Sequence, residues 1–396
     1  MDQKFVMDQE KRLMKAWSDA EKEADNQWSK DHESYPDNGV NALLTQQGWE
    51  VQSNLDYTFK WFMLDYEYAD SDTSVRYFPY LQSLPAHHVN DPRGYEFLLQ
   101  THFQNNVDTS ALRTSSRVST VHYDENVVSE TNGKTYKVVV NTNAENGSGC
   151  KDYYAQRIIS TVSAGVINND LIKFNPPLAF PAQDFSPYYM TQYIKIFYQF
   201  QNQFWDENQF IRTVRDEANR GHCHHWSNFN AAGFEEGSNI IRCEIMTEAF
   251  NALIDPVTQD LEEATLLALL EPLRKAYGAE AVGTPIDIHY PKMNKDRDWG
   301  YGGYANWKIG SSFTQFAHMY GGVEDLVPYC EHNGCNANGE WTMMISGSAT
   351  CYNWAEFVHG AYFAGEKAAR NVLRELGYDV PTVESPCDAD TWVWLK

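Results

Sequence analysis

The spacing of apolar residues changes along the chain, and each change marks a predicted element. In the first ninety residues the repeat is helical. Leu13, Trp17, Ala20 and Ala24 recur amid Lys and Glu, and Asn54 is placed to cap a second helix over 55–69 with Phe59, Phe62, Met63 and Tyr66 as its buried stripe. The period then falls to two. Residues 116–123 (SRVSTVHY) and 135–142 (TYKVVVNT) alternate as strands around a polar, glycine-containing turn, and 156–164 (QRIISTVSA) forms a third, more continuously apolar strand. Further strands are predicted at 190–200, 239–247 and 285–291. Before the last of these, Leu261, Ala264, Leu267, Leu270 and Leu273 mark one long helix over 256–277, stopped by Gly278. Residues 343–373 (MMISGSATCYNWAEFVHGAYFAGEKAARNVL) give a short apolar strand, a glycine turn and a final helix, followed by a proline-containing tail from Tyr378.

Strand hairpins, an inserted helical block and a returning strand and helix predict an α/β fold of mixed α+β character, its two domains each built from discontinuous pieces. With 396 residues there is chain enough for two cores. No internal repeat or low-complexity run interrupts the pattern.

Composition narrows the chemistry. The chain holds 24 Tyr, 20 Phe and 12 Trp, enough for aromatic walls around a site. Its net charge of −23 disfavours nucleic acid, whose phosphates need clustered Lys and Arg. The same charge serves solubility and would draw in a small cationic molecule. No stretch approaches the ~20 apolar residues of a membrane span, and the first residues lack a signal peptide's apolar core. Seven scattered cysteines, an odd count without a regular frame, point to mostly free thiols and a reducing compartment such as the cytoplasm. Cys330 and Cys335 are close enough in sequence to bridge.

Two other chemistries are weaker. His222, Cys223, His224 and His225 resemble a metal cluster, with His222 and His224 on one strand face, but a zinc site needs about four ligands and no second cluster accompanies them. No metal is therefore expected. A serine hydrolase lacks its G-x-S-x-G elbow.

The segment 343–373, with its cluster His359-Gly360-Ala361-Tyr362, resembles the C-terminal flavin-binding signature of the FAD-dependent amine oxidases. Five further segments in the same order resemble the polyamine oxidase subgroup. They are DYEYAD (65–70), RGYEFLL (93–99), IISTVSAGVINNDLIKFNPPL (158–178), YIKIFYQFQNQFW (193–205) and GGYANWKIG (302–310). The resemblance implies oxidation of polyamine or related C–N bonds by hydride transfer to FAD, with dioxygen as acceptor. It also implies roles for particular residues. Lys195 matches the lysine that holds a water against the flavin, and Tyr193 a pocket tyrosine beside it. Tyr304 and Phe357 match the aromatic walls of the amine slot, and Glu67 a carboxylate for a distal ammonium. Gly347, Ser348, Val358, His359 and Gly360 fall at the flavin, and Val118 at its adenine end. Taken from the residues alone, Lys195 is a lysine on a half-exposed strand and Glu67 a solvated carboxylate.

The pattern also departs from the family. No G-x-G-x-x-G occurs in the chain, so the grip on the FAD pyrophosphate is not visible and the FAD-binding domain is expected to be incomplete. Ser348 stands where the family has a glutamate, and Met293 where it has an aromatic. The expected division is a substrate domain over 1–88 and 181–335, the remaining FAD domain over 89–180 and 336–377, and a tail over 378–396. An incomplete sheet would expose an edge for a partner chain to cover. Activity is then conditional on the missing grip. The alternative is a cofactor-free family member, or one half of a split enzyme, acting as a binding or structural subunit.

Overall fold

A computed structural model describes residues 3–28, 39–61, 93–123, 126–144, 151–178, 188–293, 301–310, 342–351, 354, 357–381 and 387, and elements are numbered among these. Three helices open the chain, α1 (Gln3–Trp28), α2 (Val40–Gln46) and α3 (Asn54–Lys60). Of the predicted stripe, Leu13, Trp17 and Ala20 of α1 are buried against Leu43, Leu44, Trp49, Leu55 and Phe59, while the side chain of Ala24 lies outside those described. Asn54 is the first helical residue rather than the cap, which is Ser53. The fully buried Asp56 instead orders the α3 start, accepting from Gln52 N–H at 2.9 Å, the Ser53 hydroxyl at 3.1 Å and Arg12 at 2.6 Å. The predicted extension through Phe62, Met63 and Tyr66 lies outside the described residues.

Helix α4 (Gly94–Asn106) precedes a four-stranded sheet. Its order is β5 (Lys151–Ala155), β4 (Val138–Ala144), β1 (Ser116–His122) and β7 (Lys173–Asn175). β1 runs antiparallel to β4 and parallel to β7, and Val121, Tyr123 and Val138 form its buried centre. The predicted strand 135–142 is split, since Thr135–Tyr136 (β3) pairs with Val127–Val128 (β2) as a separate hairpin. Beneath this sheet, Ile158–Ser160 (β6) runs parallel to Met343–Ile345 (β15), and Met343 enters the same core.

The second large sheet is five-stranded and antiparallel, in the order β10 (Phe210–Arg212), β11 (His225–Asn228), β12 (Ile240–Met246), β9 (Tyr193–Gln199) and β13 (Asp287–His289). Alternation makes one face apolar. Ile194, Ile196, Tyr198, Trp226, Ile241, Cys243 and Ile245 are all buried there. Each such aliphatic side chain is worth roughly 1.5–3 kcal/mol when removed from water, so a one-residue slip that turned the four isoleucines outward is prohibitive. The register is thereby fixed, and with it the opposite face.

The helix predicted over 256–277 is not continuous. It is broken into α7 (Glu263–Ala268) and α8 (Glu271–Tyr277), after α6 (Thr247–Leu253), because Pro272 near the α8 start supplies no N–H to continue a helix through Leu269 and Leu270. The break changes the inner set: Leu261, Leu266, Leu269, Leu270 and Leu273 are buried, whereas Ala264 is exposed. Tyr198 ties this block to the sheet, its hydroxyl donating to the Leu266 carbonyl at 2.9 Å. Burial raises that phenol above its ordinary range.

The cysteine expectation is overturned. Cys223 is disulfide-bonded to Cys243 and Cys351 to Cys387, so all four described cysteines are oxidised and the count gives no ground for a reducing compartment. Cys330 and Cys335 lie outside the described residues. Among the described residues, no helix is long and apolar enough to cross a membrane.

Candidate functional site

The strand predicted over 190–200 is two strands that belong to different sheets. Tyr188–Thr191 (β8) pairs with Tyr304–Trp307 (β14), and after Gln192 the chain enters β9. The Gln192 N–H is taken up by the Thr247 hydroxyl at 3.1 Å, which replaces the ladder bond lost at the crossover. This switch sets Tyr193 against the end of β14. The rings of Tyr193 and Tyr304 lie 5.9 Å apart at 58°, and the Lys195 Nζ sits 5.2 Å from the Tyr193 ring centroid. Three residues predicted for one site, from segments more than a hundred positions apart in part, therefore meet.

Lys195 lies on the polar face of the five-stranded sheet with Tyr193 and Phe197, while Ile194, Ile196 and Tyr198 point into the core. Burial pushes its ammonium below the usual lysine range, the Arg242 guanidinium adds to that push, and the Glu244 carboxylate opposes it. A half-desolvated lysine of lowered basicity beside the Tyr193 ring can order a water by hydrogen bonding and present it to a neighbouring reactant.

The same face carries charges that the sequence reading did not single out. Glu244 on β12 stands directly opposite Lys195 and is fully buried. It contacts Arg242 on its own strand and lies 3.5 Å from His225 Nδ1 on β11. Arg242 also donates to the Ser227 hydroxyl at 2.9 Å and lies 5.4 Å from the centre of the Phe229 ring. The available signal was IIRCEIM, in which the two charges stand two apart in an apolar strand and must share one face.

A second group of predicted residues gathers at the end of β15. There Ser346, Gly347 and Ser348 lead through a short 3-10 turn toward α10 (Val358–Glu375). β6 and β15 are parallel, and ligands in such sheets bind beyond the strands' carboxyl ends. Three observations fit an aromatic cofactor ring at this end. The buried Ser346 hydroxyl has no hydrogen-bond partner among the described residues, and a Cβ on Gly347 would meet open space. The first turn of α10, with Val358 61% exposed, offers N–H groups not yet bonded within the helix. Gly360 has a packing reason, since any Cβ there would collide with the Trp354 carbonyl. Phe357 is exposed and stacks at 5.2 Å on His359, which meets the Trp354 ring edge at 4.6 Å. The pyrophosphate end has no such fit, because the chain contains no G-x-G-x-x-G loop and Ser348 brings no charge.

Val118 stands elsewhere, in β1 beside an irregularity of register and partly buried on the four-stranded sheet's core. Glu67 lies outside the described residues. The histidine run is not one strand face: only His225 lies in β11, Cys223 is consumed by its disulfide, and His224 is buried with Nδ1–H donating to the Thr213 carbonyl at 3.1 Å.

The family model described as flavin containing amine oxidoreductase matches residues 52–373. Polyamine oxidase 6 of Oryza sativa subsp. japonica is 25% identical over 337 residues, covering 81% of this chain and 60% of its own length. Polyamine oxidase 1 of Zea mays is 23% identical over 353 residues, covering 84% and 64% respectively. The chain thus spans under two thirds of the length of these relatives. Among solved structures, a putrescine oxidase double mutant superposes with a TM-score of 0.64 at 14% identity, covering 92% of this chain and 76% of the other. Cyclohexylamine oxidase from Brevibacterium oxydans IH-35A superposes with a TM-score of 0.57 at 15% identity, covering 92% and 75%. These likenesses support the mixed α/β amine oxidase fold, and the family match over most of the sequence identifies the chain as a member of the flavin-containing amine oxidoreductases.

Proposed function

We propose that this chain carries the amine-binding side and the flavin-ring side of an oxidase acting on polyamines or related small cationic amines. The observation that carries the reading is the meeting of Tyr193, Lys195 and Tyr304 on and beside the polar sheet face. When bound, FAD supplies the acceptor for the hydride leaving the carbon beside the amine nitrogen, with dioxygen as the final acceptor. Tyr193 and Tyr304, with Phe357, form aromatic walls that exclude water and favour a cation through their ring faces. Lys195 orders a water through its amine, and Glu67 holds a distal ammonium. Gly347, Ser348, Val358, His359 and Gly360 border the ring, and Val118 borders the adenine end. The amine side belongs to a domain over 1–88 and 181–335, and the flavin side to one over 89–180 and 336–377, with a tail beyond.

The test is to incubate the purified chain with FAD, record the visible spectrum and add spermine or spermidine without oxygen. Bound flavin that bleaches supports the reading; no bound flavin in excess FAD removes catalysis by this chain alone. The lack of a G-x-G-x-x-G loop, together with Ser348, favours a second reading as a non-catalytic or split-enzyme subunit. It predicts a stable flavin-free chain that associates with a partner, and a well-behaved flavin-free monomer by light scattering removes the partner.

A further inference from the structure

Lys195 is one charge in a row that crosses the polar face of the five-stranded sheet. On its own strand it has Tyr193 and Phe197 for neighbours; on β12 it faces Glu244, with Arg242 next along the same face. Beyond β12, β11 brings His225 and Ser227 to that face, and β10 brings Arg212, which pairs with His225. On the other side, β13 brings His289, opposite Phe197, and Asp287, opposite Gln199. Glu244 is the carboxylate nearest Lys195 across the ladder and is the most deeply buried group of the row.

A carboxylate removed from water is costly unless cations and donors surround it. Glu244 has the Arg242 guanidinium as its ion-pair neighbour and the His225 ring 3.5 Å away, and neither of its oxygens accepts a well-directed hydrogen bond among the described residues. It thus retains acceptor capacity at a position whose cross-strand neighbour is Lys195. We infer that Glu244 is the positioning residue for Lys195, its buried carboxylate serving as counter-charge to the lysine while Arg242 and His225 hold that carboxylate in place. Such an anchor would keep the lysine head beside Tyr193 instead of letting it extend to bulk water, which most lysines do. The inference rests on reading Lys195 as a residue of the amine site.

The electrostatic roles have opposite signs, which makes them separable. Glu244 favours the charged lysine and Arg242 disfavours it. The experiment is competitive trace labelling of the full chain, without flavin, by acetic anhydride across a pH series. Lys195 reactivity is read by mass spectrometry of its peptide against the same peptide in urea-unfolded chain. With Glu244→Gln, loss of the anion raises the unprotonated fraction of Lys195 at pH 8 about tenfold. With Arg242→Gln, the fraction falls. Unfolding cannot mimic the first result, because it returns the lysine to its ordinary, more basic value and lowers that fraction. If Glu244→Gln does not fold, Glu244→Asp retains the charge at a shorter reach and gives a smaller rise. An unchanged or lowered fraction in a folded Glu244 variant overturns the inference. Its failure is distinct from that of the amine oxidase reading, which is decided by flavin bleaching in the unmodified chain.

Discussion

Tyr193 and Tyr304 meet across two sheets, their rings 5.9 Å apart, because the backbone of Gly303 passes directly over Tyr193. The Gly303 N–H donates to the Thr191 carbonyl at 2.7 Å, and a Cβ on Gly303 would lie 2.8 Å from the Tyr193 Cβ and 3.1 Å from its backbone nitrogen. No rotamer change relieves contacts with backbone and Cβ atoms, so Gly303→Ala must push β14 away from β9. The expected cost is about 1–3 kcal/mol, typical of overpacking, by urea unfolding. The aromatic slot should widen with it, so that spermidine binding measured by calorimetry weakens while Gly365→Ala, a helical position where a Cβ meets open space, leaves it unchanged.

The amino-terminal helices hang on one carboxylate. Asp56 is fully buried and collects Arg12, Gln52 N–H and the Ser53 hydroxyl, so removing it takes the counter-charge from a half-buried guanidinium, which keeps its bonds to the Glu50 carbonyl and Gln9, and leaves two donors without their acceptor. Asp56→Ala should cost about 3 kcal/mol, the low end for breaking a buried pair because Arg12 retains some access to water. Asp56→Asn, which keeps an acceptor but no charge, should cost less, and thermal melts of the two variants check the order.

What was legible in the sequence was whatever burial enforces locally. The alternation of β9 was readable because Ile194, Ile196 and Tyr198 all face one core, and that same alternation placed Lys195 and Tyr193 on the other face. The crossover at Gln192 was not readable, since its compensating bond comes from Thr247, more than fifty residues away. The continuous helix over 256–277 failed because leucines at helical spacing fit two short helices as well as one long one, and Pro272 was the overlooked breaker. Glu244 and Arg242 were missed for a different reason. Charges in an apolar strand look like an exposed face, and only the third dimension shows that this face is itself buried. Disulfide pairing does not follow from spacing at all.

The two disulfides predict a redox-dependent stability. Cys223–Cys243 and Cys351–Cys387 close separations of 20 and 36 residues, for which loop-closure entropy gives about 3–4 kcal/mol each. Dithiothreitol should therefore lower the unfolding midpoint in urea. Cys351→Ser should reproduce part of that loss, and alkylation of Cys223, Cys243, Cys351 or Cys387, located by peptide mapping of the unfolded, unreduced chain, would show that the bridges never formed. The Cys223 bridge is the more consequential for the site, since Cys243 lies between Arg242 and Glu244.

Acid should destabilise the fold through the histidine pair beside that bridge. Burial pushes His224 from 6.5 down to about 3, and burial, reinforced by the Arg215 guanidinium, lowers His222. The His224 ring lies 5.1 Å from that of Trp61, and Nδ1–H is committed to the Thr213 carbonyl, so a second proton would have to sit on the buried Nε2. The folded state therefore holds His224 neutral where the unfolded state takes up a proton. Stability is unaffected above about pH 6.5 and falls as the pH drops toward 3, by about 1.4 kcal/mol per pH unit from this residue and roughly 2 kcal/mol by pH 5. His224→Phe removes the titration while losing one hydrogen bond, so it should be slightly less stable at pH 8 yet show a shallower loss between pH 7 and 5. Urea midpoints at the two pH values decide it: parallel losses in both proteins would mean that His224 is not the group responsible.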